Sequence, residues 1–293
     1  MEKITSPTGA IVSENPKLKK VAIQGFKASF HEIAAYKFFG SNIETVMCET
    51  FRGLFNDIGN KKASFGIVAI ENTVAGTLLP NYALLRDSTV KVIGEVYLQI
   101  QQNLLALPGQ KIGDITEVRS HPMAILQCQD FFENYPHIRL IESADTALSA
   151  AQVREKELKG VGAIASIAAA ETYKLEIMNA GIETNKKNFT RFLVIHSESD
   201  QPVNITNPDK SSLCFHLAHR TGSLASVLMS LSDNKINLSK IQSLPLVGRE
   251  WEYFFHIDLE FDDYAAYINA IEDIKPYVHE LQILGEYKRG LKY

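Results

Sequence analysis

Hydroxyl and amide side chains recur where a predicted strand ends and a predicted helix begins. These residues are Ser29, Asn72, Thr73, Ser120, Ser143, Thr146 and Ser166. Each is explained by capping, because such side chains satisfy the backbone N–H groups left unpaired in the first turn of a helix. Several helix starts that converge on one cleft would also bind an anion, since their N–H groups and dipoles favour negative charge. The pattern therefore predicts a cleft for a small hydroxylated or carboxylated anion.

The segment 188–195, with the sequence NFTRFLVI, carries a second group of candidate residues. Thr190 and Arg191 stand among apolar residues that predict a buried strand, where a polar side chain needs a partner. For Arg191 the alternative is a salt bridge at the edge of the strand. The Thr-Arg pair is therefore a candidate for chemistry.

Composition and charge exclude several classes of partner. The chain has 293 residues, enough for two or three compact units, and 45% of them are hydrophobic. The formal net charge is -4 with both signs interspersed, so there is no basic face for nucleic acid and no polybasic membrane anchor. A small molecule is the expected partner.

The N-terminus and the cysteines indicate a reduced compartment. The first twenty residues contain no apolar run that could form the core of a signal peptide, and no window approaches the roughly 18 apolar residues of a membrane-spanning helix. Cys48, Cys128 and Cys214 lie far apart among apolar neighbours and form no CxxC pair, which predicts packing residues rather than disulfides or metal ligands. We expect a cytoplasmic protein.

Short apolar runs alternate with helical patterns from Val21 onward, which is typical of α/β layering. Strands are predicted at 20–25, 42–49, 63–72, 90–109, 138–143, 161–166 and 188–196. Helices are predicted at 29–40, 51–62, 78–86, 144–160 and 167–178, with a loop and then a helix over 117–135. Crossings near 95–100 and 188–194 would join two lobes and place a cleft between them. A periplasmic-binding-protein-like receptor, in which nothing reacts, has the same layout.

The pattern changes near the C-terminus. Residues 198–210 are polar with two prolines, which predicts a linker. Predicted strands at 211–218, 236–246, 251–261 and 280–287 and helices at 222–235 and 264–278 follow in the order βαββαβ. That order is the ferredoxin-like plan.

Several segments, in this order, resemble the prephenate dehydratase family: VAIQGFKASFHEIAA, AIENTVAGTL, LLALPG, SHPMAILQCQDFF, AIASIAAAETYKL and NFTRFLVI. The segment HRTGSLASVLMSLSDNKINLSKIQSLPLVGREWEYFFHIDLE resembles its regulatory ACT domain. The resemblance implies conversion of prephenate to phenylpyruvate in phenylalanine biosynthesis, with no metal or cofactor. It implies an N-terminal extension (1–20), a catalytic domain (21–197), the linker (198–210) and an ACT domain (211–293), with lobe one at about 21–97 plus 188–197 and lobe two at about 98–187. An extension of about twenty residues is too short for the chorismate mutase bundle of some members, so a monofunctional enzyme is expected.

The resemblance also implies roles for individual residues. Thr190 of the Thr-Arg-Phe motif is expected to be catalytic, as a hydrogen-bond donor or proton relay, with Arg191 beside it. Glu71 is the candidate for the ultimate proton source, and a structural role at a strand end is its alternative. Substrate contacts are expected from Ser29, Asn72, Thr73, Ser166 and Phe192.

The chain departs from the family in its first loop. The usual Gly-Pro-x-Gly-Thr-Phe-Ser is replaced by GFKASFH at residues 25–31. Ser29 keeps the hydroxyl of the usual threonine, and Thr73 likewise replaces a frequent serine. His31 occupies the position of a serine, and a histidine at a helix start is expected to be solvated or capping rather than catalytic.

Regulation by phenylalanine is implied for the ACT domain. ACT domains generally pair, so a homodimer or homotetramer is expected, with phenylalanine bound across the interface at Gly222, Leu224, Asn237, Leu238 and Ser243. Residues 242–245 read QSLP where the family commonly has Glu-Ser-Arg-Pro, so inhibition weaker than in relatives is expected. The alternative is an ACT domain that serves only oligomerisation.

Two other functions stay open at this point. Arogenate dehydratase acts on a substrate that carries an amine where prephenate has a ketone, and one side-chain contact could reverse the preference. A non-catalytic amino-acid-binding regulator would use both parts of the chain for binding alone. The retained Thr-Arg-Phe and Glu-Asn-Thr segments favour the enzyme.

Overall fold

The computed structural model describes residues 10–11, 18–198, 203–218, 220–246 and 252–293. Most of the predicted N-terminal extension and part of the predicted linker lie outside these ranges. Among the helices within them, none is long and apolar enough to cross a membrane.

Strands and helices alternate through most of the described chain. The strands are β1 (Ala10–Ile11), β2 (Lys19–Gln24), β3 (Ile43–Cys48), β4 (Phe65–Asn72), β5 (Gly76–Thr77), β6 (Val90–Gln99), β7 (Asn103–Ala106), β8 (Glu117–Ser120), β9 (Arg139–Glu142), β10 (Val161–Ala165), β11 (Glu176–Asn179), β12 (Phe189–Ser197), β13 (Asn204–Ile205), β14 (Lys210–His216), β15 (Asn237–Pro245), β16 (Tyr253–Glu260) and β17 (His279–Tyr287). The α-helices are α1 (Phe30–Phe39), α2 (Phe51–Gly59), α3 (Leu79–Arg86), α4 (Pro122–Gln127), α5 (Gln129–Phe132), α6 (Thr146–Glu155), α7 (Ile167–Tyr173), α8 (Ser223–Asp233) and α9 (Tyr264–Ile274).

Contacts between Cα atoms divide the chain into two compact units. The larger unit comprises Leu18–Leu78, Val96–Phe192 and Lys292–Tyr293. The smaller unit comprises Leu79–Glu95, Leu193–Leu291 and the described part of Met1–Lys17. The boundaries between them fall inside β6 and β12.

Two mixed sheets form the predicted two-lobed arrangement. The first has the order β3-β2-β4-β12-β6 with β5 beside β4, and β2 runs parallel to β3 and β4. The second has the order β11-β7-β10-β8-β9. Nearly every residue of β4 is buried, as expected of a parallel strand that is covered on both faces.

The apolar run at 90–109 supplies a strand to each sheet, β6 to the first and β7 to the second. Between them, the N–H of Ile100 donates to the carbonyl of Asn188 at 2.7 Å, and the N–H of Gln102 donates to the carboxylate of Glu183 at 2.8 Å. These bonds fasten the two connecting segments to each other near the predicted crossings.

Two predicted elements differ in the structure. Residues 117–120, expected as a loop, form β8, which runs parallel to β9 and β10. The helix expected over 167–178 ends at Tyr173, because Lys174 is left-handed, with φ 52°, and caps α7. Residues 176–179 then form β11 beside β7. Both strands are too short for an alternating pattern to be recognised in the sequence.

The C-terminal part of the smaller unit is an antiparallel sheet with the order β15-β16-β14-β17. Its elements follow the order βαββαβ, which confirms the predicted ferredoxin-like plan. The apolar core of this part includes Leu213, Phe215, Val227, Leu231, Ile257, Tyr267 and Ile271.

The three cysteines are buried free thiols, as expected of packing residues. Burial raises the pKa of Cys48, Cys128 and Cys214 to about 12 in each case. They are poor nucleophiles, because the thiolate is the reactive form.

Candidate active site

A cavity of about 260 Å³ lies within the larger unit. This volume is slightly below the range of about 300 to 1,000 Å³ that is usual for ligand pockets, so the cavity suits a small molecule. Its lining residues are Gln24, Ser29, Phe30, His31, Phe51, Ala69, Asn72, Ala75, Leu78, Ile100, Gln102, His121, Met123, Ala124, Gln127, Asp145, Thr146, Thr190 and Phe192. Among these described residues there is no lysine or arginine. The starts of α1 and α6 contribute to the lining, as the sequence predicts for an anion cleft.

Asn72 and Thr190 form the central polar contact of the cavity. The side-chain oxygen of Asn72 accepts hydrogen bonds from the N–H groups of Val74 and Ala75 at 2.9 and 2.7 Å, so its Nδ2 must face β12. Nδ2 lies 2.9 Å from Thr190 Oγ1 and 2.7 Å from Asn188 Oδ1. Since Thr190 Oγ1 accepts from Asn72, its own proton remains available for a molecule in the cavity.

Alternation along β12 decides which residues of the Thr-Arg-Phe motif face the cavity. Thr190 and Phe192 line it, whereas the intervening Arg191 does not. The buried guanidinium of Arg191 lies 5.9 Å from the centre of the Tyr97 ring. The structure therefore separates Arg191 from the cavity, contrary to the expectation that it acts beside Thr190.

Thr73 and Ser166, expected as substrate contacts, lie outside the lining. The Thr73 hydroxyl donates to the carbonyl of Lys187 and accepts from the N–H of Phe189, both at 2.9 Å. The Ser166 hydroxyl donates to the carbonyl of Ala28 at 2.9 Å and caps α7. Both hydroxyls bond to backbone segments that lead into lining residues. Thr73 stabilises the start of β12, and Ser166 stabilises the loop before Ser29.

Glu71 is also absent from the cavity lining. It is half-buried near the end of β4, where it pairs with Thr77 of β5. Its neighbour Asn72 lines the cavity. In the Glu-Asn pair, as in the Thr-Arg pair, only one of the two residues lines the cavity. The cavity lining thus includes Asn72 and Thr190 but not the predicted proton source.

The start of α1 brings Ser29 and His31 to the cavity. Ser29 is the N-cap and accepts from the N–H of Glu32 at 3.4 Å. The His31 ring packs against the rings of Phe51, tilted, and Phe192, edge-on, with ring centroids 5.4 and 5.0 Å apart. Burial lowers the pKa of His31 to about 3. The imidazole is therefore neutral near pH 7. The sequence expectation of a solvated or capping histidine is wrong.

Two buried polar atoms of lining residues have no hydrogen-bond partner among the described residues. They are Nε2 of His31 and Oε1 of Gln102. An unpaired buried polar atom is costly, so a bound molecule that pairs with either atom gains affinity. Both atoms point to a polar ligand.

Sequence reasoning missed His121 and Asp145. His121 caps α4, and its Nδ1 accepts from the N–H of Met123 at 3.2 Å, which places the proton of the neutral ring on Nε2. Asp145 caps α6 and accepts from the N–H of Leu148 at 2.9 Å. The residues predicted as caps here were their neighbours Ser120, Ser143 and Thr146. A search for aspartate and histidine at strand-to-helix junctions would have found both.

Gly25 provides a test of how closely the loop before α1 approaches Asp145. Gly25 has φ 99°, and a Cβ added to it would lie 2.8 Å from Asp145 Oδ2. Gly40 has φ 78° with no atom within 4 Å of such a Cβ. We expect Gly40→Ala to lower the free energy of unfolding by about 1 to 3 kcal/mol through backbone strain alone, because φ 78° with ψ -173° is a conformation essentially restricted to glycine. Gly25→Ala should lower it further, as measured by urea denaturation, and equal losses would show that Asp145 moves aside freely.

A second cavity, of about 130 Å³, lies in the smaller unit beside the start of α8. It is lined by Leu217, Ala218, Arg220, Ser223, Leu224, Tyr253 and Phe255. Of the predicted phenylalanine-site residues, Leu224 lines this cavity, and Gly222 caps α8 with φ 85°. Asn237, Leu238 and Ser243 lie on β15 and are not part of the lining.

The chain is similar in sequence to prephenate and arogenate dehydratases. The family model described as prephenate dehydratase matches residues 21–200. A bifunctional chorismate mutase/prephenate dehydratase of Aquifex aeolicus (strain VF5) is 35% identical over 274 residues, which cover 93% of this chain and 74% of that protein. Arogenate dehydratase 2 of Petunia hybrida is 34% identical over 295 residues, which cover 94% of this chain and 73% of that protein.

Solved structures share the fold. Prephenate dehydratase from Arthrobacter aurescens, in complex with L-Phe, superimposes with a TM-score of 0.80 at 23% identity, covering 92% of this chain and 90% of that chain. GqqA, described as a quorum quenching acylase, superimposes with a TM-score of 0.82 at 25% identity, covering 92% of this chain and 98% of that chain. Because the family model matches more than half of the sequence, this chain belongs to the prephenate dehydratase family.

Proposed function

We propose that this protein is a prephenate dehydratase, which converts prephenate into phenylpyruvate, water and CO2 in phenylalanine biosynthesis. The observation that carries the proposal is the Thr190 hydroxyl, which lines the cavity and accepts a hydrogen bond from Asn72, so that its own proton is available to a bound molecule. We propose a catalytic domain over residues 21–197, an ACT domain over 211–293, and a cytoplasmic location.

The chemistry of prephenate matches what the cavity offers. Its ring becomes aromatic when the C4 hydroxyl leaves as water and the C1 carboxylate leaves as CO2, so aromaticity drives the reaction and no electron sink is needed. The protein must bind two carboxylates, assist the departing hydroxyl, and keep the reacting carboxylate poorly hydrated. Backbone N–H groups at the starts of α1 and α6 serve the first task, and Thr190 assists the hydroxyl. The rings of Phe51 and Phe192, which line the cavity, would give the reacting carboxylate an apolar surface that hydrates it poorly.

Mixing the purified protein with prephenate and following phenylpyruvate absorbance in alkali tests this proposal. We expect turnover in the presence of EDTA. A parallel reaction with arogenate, assayed for phenylalanine, tests the activity named for the Petunia relative. Faster turnover of arogenate would make the protein an arogenate dehydratase, and binding of prephenate without turnover over hours would make it a regulator.

We further propose that phenylalanine inhibits the enzyme from the smaller cavity, in a homodimer or homotetramer. Ser223 lines this cavity, and its hydroxyl oxygen is buried without a hydrogen-bond partner among the described residues. A ligand in the cavity can form a hydrogen bond with this hydroxyl. Inhibition requires phenylalanine to favour one conformation of the enzyme over another.

Ser223→Ala should raise the phenylalanine concentration that gives half-inhibition by about tenfold, because one hydrogen bond to the ligand is lost. Turnover in the absence of phenylalanine should not change. Ser226→Ala, which alters another serine of α8 outside the cavity, is the matched control. Should wild-type protein show neither inhibition nor calorimetric binding up to millimolar phenylalanine, the ACT domain serves oligomerisation alone.

A further inference from the structure

The proposed reaction needs a proton that the Thr190 hydroxyl cannot supply as the ultimate source. A hydroxyl of this kind is a very weak acid, so it can orient or relay a proton but must recover one from elsewhere. Glu71 does not line the cavity. Asp145 is the one carboxyl group among the described residues that do. Asp145 is therefore the candidate for this proton source.

The two oxygens of Asp145 have different surroundings. Oδ1 accepts from the N–H of Leu148 at 2.9 Å and so caps α6. Oδ2 faces Gly25, where even a single methyl group would lie 2.8 Å away. Because Gly25 has no side chain, Oδ2 can lie this close to the loop before α1. The N–H of Ala147 also bonds to this carboxyl group. Since Oδ1 maintains the helix, Oδ2 is the oxygen left to carry a proton to a bound molecule.

The surroundings of Asp145 favour its neutral form. Burial raises its pKa, and this outweighs the hydrogen bonds from the start of α6 and the charge that His121 carries when protonated. Tyr173 of α7 also interacts with Asp145 and is neutral near pH 7, since burial raises its pKa above the ordinary value of a tyrosine. No lysine or arginine is present among the described lining residues, so the two carboxylates of a bound dianion would favour the protonated form further.

We propose that Asp145 is the general acid of the reaction, and this inference rests on the proposed function. The Asp145 carboxyl gives its proton to the C4 hydroxyl while Thr190 donates a hydrogen bond to the same oxygen. The C4–O bond breaks and water leaves. The electron pair of the bond between C1 and its carboxylate moves into the ring, which becomes aromatic as CO2 departs. Asp145 is left as a carboxylate and recovers a proton from solvent, so one proton is consumed per turnover.

Asp145→Asn tests the assignment, because the asparagine oxygen can still cap α6 but the side chain has no acidic proton. We expect kcat to fall by about 10²-fold with KM changed less than threefold. The kcat of the wild-type enzyme should fall as pH rises through the pKa of Asp145 in the complex with prephenate, and this decline should be absent in the variant. Asp263→Asn, at the N-cap of α9 in the smaller unit, is the matched control and should keep wild-type kcat.

The outcomes separate this inference from the proposed function. Wild-type protein that does not convert prephenate contradicts both. If the wild-type protein converts prephenate and Asp145→Asn is as fast, or keeps the same decline of kcat with pH, Asp145 is not the acid and the proposed function stands. If Asp145→Asn melts at a temperature well below that of the wild type, Asp145→Ser is tested instead. Serine retains an oxygen that can cap α6, and the same loss of kcat is expected.

Discussion

Thr190→Val is expected to lower kcat by about 10²- to 10⁴-fold, the usual contribution of a positioned group that assists proton transfer in the transition state. Valine keeps the shape of the side chain but cannot donate to the departing hydroxyl. Asn72 Nδ2 keeps Asn188 Oδ1 and the carbonyl of Phe189 as acceptors at 2.7 and 3.2 Å, so Asn72 stays in place. The loss should therefore be in turnover rather than in substrate affinity.

Steady-state kinetics with prephenate separate the two quantities. An equal fall in kcat and kcat/KM identifies an interaction made in the transition state, whereas a rise in KM alone identifies ground-state binding. Thr116→Val is the matched control, since Thr116 lies in the larger unit outside the cavity and bonds only weakly, at 3.3 Å, to the carbonyl of Gly160. Near-normal kcat in Thr190→Val would remove Thr190 from the mechanism.

The second large effect concerns stability and a buried ion pair in the smaller unit. Lys210 Nζ lies 3.1 Å from Glu95 Oε1, and the two side chains are 2% and 0% exposed. Lys210 Nζ also lies 3.4 Å from Glu260 Oε1, and Glu95 Oε1 accepts from the N–H of Gly290 at 3.0 Å. Removing one partner of a buried pair leaves an uncompensated charge, which typically costs 3 to about 5 kcal/mol. Lys210→Met should lower the free energy of unfolding by about that amount.

Urea denaturation of three variants tests this prediction. Lys275→Met removes a partner of Glu272, but these side chains are 52% and 62% exposed, so a loss under about 1 kcal/mol is expected. The double variant Lys210→Met/Glu95→Leu should recover stability relative to Lys210→Met, because the unpaired charge is gone. A loss for Lys210→Met no larger than that for Lys275→Met would contradict the prediction.

Much of the architecture could be predicted from sequence because its signals are local. Apolar runs and capping residues located most strands and helices, and the βαββαβ order identified the C-terminal plan. The errors have local causes as well. Helix α7 ends at Lys174, which adopts the left-handed conformation. Because this conformation is usually taken by glycine, nothing in the sequence indicated that the helix ends there. β8 is four residues long and polar at both ends.

The candidate site was only partly predictable, because its composition depends on which side chains the fold brings together. Thr190, Asn72, Ser29 and Phe192 could be singled out from their motifs, and all four line the cavity. Arg191 was expected beside Thr190, yet the alternation of β12 turns it away. Asp145 carries no local signal beyond that of a helix cap, and its approach to Gly25, 120 positions earlier, exists only in the folded chain.

Ser29 and Asp145 each hold the first turn of a helix while also facing the cavity. Because each residue has both roles, few substitutions are tolerated at either position. Residues that cap well are a short list, chiefly Ser, Thr, Asp and Asn. A lineage that adapts this cleft to a new substrate can exchange members of that list, but a bulky or apolar residue at either position would loosen the helix that it begins. New specificity is thus more readily gained at lining positions that cap nothing, such as Gln24, Met123 and Gln127.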